Sequence, residues 1–167
     1  MARPGDLLLV HLVDSVDEGY TFQRKRMQWP LHLTLVSWFA APDEARLAAT
    51  LRETARTIEP FEVQIGAIAQ FGANKDVPVN LVKEHPSLRQ LHASLVESLG
   101  RLGVTIESAQ FLGAAWRPHI TRHEPDGHFV HEHEVRAVDD FHLVRLIEEN
   151  NCQVAERYVL GYNNSNG

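Results

Sequence analysis

The segment "WPLHLT", residues 29–34, returns as "WRPHIT", residues 116–121, so that His32 and His119 stand 87 residues apart in a chain of 167. Each copy sets a tryptophan three residues before a histidine, a proline between the two, and a threonine two residues after. The candidate repeat unit is half the chain, a spacing consistent with duplication and a fold of two similar halves. In an extended strand residues i and i+2 project to one face, so His32 with Thr34, and His119 with Thr121, each present an imidazole beside a hydroxyl. Leu33 and Ile120 then point the other way, into a core. Ten histidines and seven threonines give roughly 0.4 His-x-Thr triplets by random placement. One such triplet carries no information; two in matching surroundings at half-chain spacing do.

The intervening patterns predict both strands and helices. Leu7 to Val13 reads as a first strand, and residues 14–28 as a polar connector carrying Arg24, Lys25 and Arg26. "LHLTLVSWF" from Leu31 alternates as a strand. Asp43 can cap a helix in which Leu47, Leu51, Thr54 and Ile58 recur at helical spacing, with Pro60 ending it. "FEVQIGAIAQF", 61–71, is another strand, and "VPVNLV", 77–82, a short buried one. Pro86 and a capping box from Ser87 to Gln90 open a second helix with the stripe Leu88, Leu91, Leu95, Leu99 and Leu102, closed by Gly103. Residues 124–136 read as a loop or short helix, and "FHLVRLIE" and "QVAERYVLGY" as closing strands. The class is α+β.

Composition removes several functions. Acidic residues outnumber basic ones 22 to 16, a net charge of −6, which argues against a long basic groove tracking many phosphates but leaves room for a substrate with one or two. Cys152 is the single cysteine, so an internal disulfide and a Cys-x-x-Cys zinc site are excluded, and a reducing cytoplasm fits. With no base nearby, the thiol reads as a small buried or turn residue rather than a nucleophile. No run approaches the ~20 apolar residues of a membrane helix; a soluble monomer is expected. Five histidines lie between residues 119 and 133 and invite a metal. The HExxH spacing is absent, however, and Pro118, Ile120 and Thr121 favour a strand over the helix that would bring His119 and His123 to one face. No metal or other cofactor is expected. His11, His92 and His142 read as core histidines.

Two imidazoles and two hydroxyls around one cleft suit phosphate chemistry. A phosphodiester is cleaved most easily when one group takes a proton from the attacking oxygen and another protonates the departing one, and histidine suits both tasks because its pKa of ~6.5 lies near neutrality. Threonine hydroxyls can donate to the non-bridging oxygens where charge gathers. Three assignments fit: a phosphodiesterase, a non-catalytic module that binds nucleotide or RNA ends through the same cleft, and a histidine-rich metal protein.

The whole pattern resembles the 2H phosphoesterase superfamily, which contains the 2′-5′ RNA ligase-like proteins and 2′,3′-cyclic nucleotide phosphodiesterases. "LHLTLVSWF" resembles its first motif, "WRPHIT" its second, "VPVNLV" with the following leucine-rich helix the approach to the second, and residues 139–162 its last two strands. The resemblance implies a bilobal α+β fold with antiparallel sheets around a central cleft and the two main helices outside. It would be one domain, with pseudo-symmetric lobes at about 1–75 and 76–162 and a frayed tail at 163–167. It further implies His32 and His119 as the proton-transfer pair, Thr34 and Thr121 as phosphate ligands, no metal, and a small nucleotide or RNA end as substrate. His119 is taken as base and His32 as acid, an assignment that the symmetry leaves open. The chain departs from the family where leucine and then arginine commonly follow the second motif: Arg122 and Glu124 stand there. An expected cation is missing or comes from elsewhere. His123, Arg26 and Trp38 are the further candidates for substrate contact, Trp38 by stacking on a base.

Overall fold

Leu33 and Ile120, the central residues of the two motifs, face each other across an antiparallel strand pair. The computed structural model describes residues 2–25 and 28–161. Around that pair run strands β1 (Leu7–Leu12), β2 (Thr21–Gln23), β3 (His32–Phe39), β4 (Phe61–Phe71), β5 (Val77–Val82), β6 (His119–Thr121), β7 (Val135–Val138), β8 (Asp140–Glu148) and β9 (Asn151–Val159), with helices α1 (Glu44–Arg56) and α2 (Pro86–Arg101). The strands form one antiparallel sheet in the order β2-β9-β8-β1-β3-β6-β5-β4-β7. The motif strands β3 and β6 are neighbours at its centre. This is the α+β architecture expected.

The halves of the sheet do not follow the halves of the chain. A division near residue 75 would leave β4 with β1 and β3, whereas β4 pairs with β5 and lies beyond the second motif, and β8 and β9 return to extend the sheet from β1. Short-range antiparallel pairing accounts for this. Gly72 and Lys75, both at positive φ, turn the chain directly from β4 into β5, and consecutive strands joined by so short a connection pair with each other.

Both helices cover one face. Leu47 and Leu51 of α1, and Leu88, Leu91, Leu95 and Leu99 of α2, are buried in one cluster with Leu7, Leu9, Leu33 and Ile120 from the sheet. Thr54 and Ser98 join the two helices by a 2.8 Å hydroxyl bond. On the opposite face Leu8, Val10 and Leu12 meet Phe22, Val144, Leu146, Cys152 and Val154, with Trp29 and Trp38 packed against them. Strand β1 is therefore buried on both sides, which is why its sequence is apolar apart from His11 rather than alternating.

Asp43 caps α1, its carboxylate accepting from the Arg46 N–H at 3.1 Å. Helix α2 begins one residue before the predicted box: Pro86 takes the first helical position and His85 caps, its Nδ1 accepting from the Ser87 N–H at 3.1 Å. Proline has no N–H to satisfy there and its φ is preset for a helix, so the cap moves upstream. At the other end Gly103, at φ +73°, closes α2 with bonds from Gly103 N–H to Gly100 and from Val104 N–H to Leu99. Strand β2 lies inside the stretch read as a connector, and β7 begins within the stretch read as loop or short helix. Among the described residues no helix is long and apolar enough to cross a membrane.

Leu33 is 1% exposed, so Leu33→Ala is expected to cost about 2–5 kcal/mol, read as a lower urea midpoint with an unchanged slope.

Candidate active site

The register of β3 against β6 builds the site. With Leu33 opposite Ile120, antiparallel order sets His32 opposite Thr121 and Thr34 opposite His119, so each imidazole faces the other motif's hydroxyl and the two imidazoles lie on a diagonal. All four residues are half-buried, on the face away from the helices. Among the described residues neither threonine hydroxyl has a hydrogen-bond partner.

Both histidines are held in the same way. Nδ1 of His32 lies 2.8 Å from the Pro30 carbonyl, and Nδ1 of His119 lies 2.8 Å from the Arg117 carbonyl. A carbonyl only accepts, so each Nδ1 carries the hydrogen and each Nε2 is the nitrogen left for a ligand. A further tie reaches the first motif from the loop after β1. Asp14 accepts from the Leu31 N–H at 2.7 Å and pairs with His128 Nε2 at 2.7 Å, fastening the first motif to the segment that follows the second.

The repeated tryptophans do different things. Trp29 packs against His32 with ring centres 4.9 Å apart. Trp116 instead stacks on His92 at 4.1 Å, nearly parallel, and Phe71 from β4 packs against His119 at 4.5 Å. His92 is a satisfied core residue, bonded to the Leu35 carbonyl and accepting from the Gly113 N–H. His11 is also satisfied, by Asp140, whereas Nδ1 of buried His142 has no partner among the described residues. Burial pushes the Cys152 thiol up to about 11, as an inert thiol requires.

Two cavities open on the histidines. One of about 260 Å³ is lined by Arg24, Trp29, His32, Thr121 and His123. The other, about 560 Å³ and mostly apolar, has Thr34 and His119 beside Phe71, Phe111, Leu112 and Arg117. A third cavity of about 670 Å³ lies beside Asp14, but His11, Asp140 and Arg157 at its floor are already paired with one another. It holds neither motif histidine.

Burial acts on both imidazoles. Loss of solvent is the main cause holding His32 down to about 4; the charges of His119 and His123 add to it, while the Pro30 bond and Asp14 oppose it. His119 is also lowered, chiefly by burial and then by the Arg117 charge, against the pull of its carbonyl bond. Both rings are neutral at pH 7 in the unliganded protein.

The other predicted residues divide. His123 lines the smaller cavity with His32, its ring 5.8 Å from that of His128. Trp38 lines neither cavity; it stands edge-on to Trp29 at 6.4 Å, in a supporting layer. Arg26 lies outside the described residues. Arg122 and Glu124 are spoken for: the Arg122 guanidinium bonds Glu124 at 2.9 Å, Asn80 at 2.6 Å and the Val130 carbonyl at 3.1 Å, pointing away from the cleft as strand alternation requires. Phe71, Arg117, Asp14 and His128 were not singled out by sequence reading. Arg117 sits inside the second motif, two residues before the histidine, and was the one of these in plain view.

A family model described as the 2′-5′ RNA ligase superfamily matches residues 10–138. Among solved structures, TT0787 of Thermus thermophilus superposes with a TM-score of 0.60 at 21% identity, covering 93% of this chain and 97% of its own. LigT of E. coli in its apo form gives 0.60 at 18%, covering 96% and 99%. LigT has also been crystallised with 3′-AMP, that structure matching at 0.55 and 17% over 95% and 99%. At such identities these likenesses show a shared fold. No curated protein matches.

In a histidine-resolved NMR titration, His32 is expected to protonate near pH 4 and His119 below 6.5. The unfolded chain takes up a proton near 6.5 that folded His32 refuses until about 4. Stability is therefore full above pH 6.5 and declines as pH falls from 6.5 towards 4; His32→Ala should flatten that part of the curve.

Proposed function

Because the chain belongs to the 2′-5′ RNA ligase superfamily of 2H phosphoesterases, we propose that it is a metal-independent phosphodiesterase acting on a 2′,3′-cyclic phosphate or a small cyclic or 2′-5′-linked nucleotide. One observation carries the reading: two carbonyl-anchored imidazoles lie diagonally across adjacent strands, each beside a threonine hydroxyl that no described residue engages. The crystallisation of LigT with 3′-AMP supports a ligand of this class.

The chemistry needs two proton transfers. In ring opening, a water oxygen adds to phosphorus as its proton passes to a neutral imidazole. The bond from phosphorus to one ribose oxygen breaks as a protonated imidazole gives that oxygen its proton. Proton exchange with solvent resets both rings once the product leaves. His32, held the lower, stays neutral over the wider pH range, which favours it as the base and His119 as the acid, the other way round from the assignment taken from sequence, which the symmetry left open. A bound phosphodiester anion favours the protonated form of His119, since an opposite charge nearby stabilises an imidazolium. Thr34 and Thr121 donate to the non-bridging oxygens as charge builds there.

Glu124 in the place of the family arginine favours a second reading, a module that binds nucleotide ends without turnover. The two are told apart by assaying a 2′,3′-cyclic nucleotide in excess chelator. Steady turnover is expected, falling about 10²–10⁴-fold in His32→Ala and in His119→Ala; binding with no turnover, or full activity in both variants, overturns the enzyme. The profile of kcat/KM, which reports the free enzyme, should be bell-shaped with its maximum between pH 4 and 6.5, the window that the lowered values of His32 and His119 define.

A further inference from the structure

We infer that Arg24 and Arg117, one on each flank of the cleft, supply the positive charge that position 124 does not. This rests on the cleft being a phosphodiester site. Arg122 cannot serve: it is 7% exposed, on the opposite face of β6, and its guanidinium is held by Asn80, Glu124 and the Val130 carbonyl. Glu124 is the wrong sign, and its carboxylate is turned to Arg122. The net charge of −6 offers no general positive field, so any counter-charge has to be local.

Each cavity lining contains one arginine. Arg24 shares the smaller cavity with His32 and Thr121; Arg117 shares the larger with His119 and Thr34. Neither guanidinium is in an ion pair among the described residues. Each lies over an aromatic ring, Arg117 over the ring that packs on its motif histidine and Arg24 over a ring one step removed. Arg24 lies 5.4 Å from the Trp38 ring centre, in a layer running through Trp29 to His32. Arg117 lies 4.7 Å from the Phe71 ring centre, and Phe71 packs on His119. Stacking on a ring leaves the planar guanidinium edge free to make paired hydrogen bonds to phosphate oxygens. The main chains of the same two residues also build the site, since the Arg24 carbonyl accepts from Trp29 Nε1 and the Arg117 carbonyl anchors His119. Cation, ring and imidazole are thus repeated on both sides of one phosphorus position, with different residues in each copy.

The test titrates inorganic phosphate into wild-type protein, Arg24→Gln, Arg117→Gln and the double variant, following the ring signals of His32 and His119 by NMR. Arg56→Gln, which alters the same net charge on α1 where Arg56 pairs with Glu53, controls for long-range electrostatics. Near-UV circular dichroism verifies folding. Should either glutamine variant unfold, the lysine variant at that position takes its place, since it keeps the charge and loses the paired geometry. Each cleft variant is expected to weaken phosphate binding about tenfold, the double variant by close to the product of the two, and Arg56→Gln not at all. Equal loss in Arg56→Gln, unchanged affinity in the double variant, or loss confined to one arginine overturns the inference while the phosphate site stands. Absence of any phosphate effect on the wild-type histidines overturns the site itself, and the inference with it.

Discussion

The whole arrangement depends on the pairing of β3 with β6. Leu33 against Ile120 is at once the seam that makes one sheet of two halves and the register that makes a site. Side chains alternate along a strand, so a slip of one residue would send both imidazoles into the leucine core and both apolar residues into the cleft. The cost of burying imidazoles among the leucines of α1 and α2, against that of exposing Leu33 and Ile120, holds the register where the chemistry needs it. Packing on the helix side therefore specifies geometry on the cleft side.

The same burial that secures the site also sets its proton chemistry. His32 and His119 are oriented by carbonyls two residues upstream, a bond that favours the charged ring, yet loss of solvent outweighs it in both. At pH 7 the empty cleft therefore presents two neutral imidazoles, and a bound anion would favour a proton on either of them.

What could be read from the chain was what local pattern dictates. The face of each His-x-Thr strand, the leucine stripe of α2 and the cap at Asp43 follow from strand and helix periods and from capping chemistry, and each is present. The partners of β4 and of β8 were not readable by halves: the turn at Gly72 and Lys75 sends β4 to β5, and β8 returns to pair with β1. Strands β2 and β7 are short, and their pairing with β9 and β4 is imposed from outside. At the site, the motif residues were legible and their neighbours were not: Phe71 reaches His119 from a distant strand, and Asp14 joins His128 across 114 positions of sequence. Arg122 directly follows the second motif, and alternation turns it away from the cleft, towards Asn80.

The two flanks of the cleft are unequal. Trp29 packs beside His32, whereas Trp116 stacks on His92, and the space beside His119 is lined by Phe71, Phe111 and Leu112. One side offers about 560 Å³ and the other about 260 Å³. The two-fold pattern of the motifs thus opens onto two unequal spaces, so that a molecule with one bulky and one slender end would fit along them in one direction only, its size deciding which end meets which imidazole.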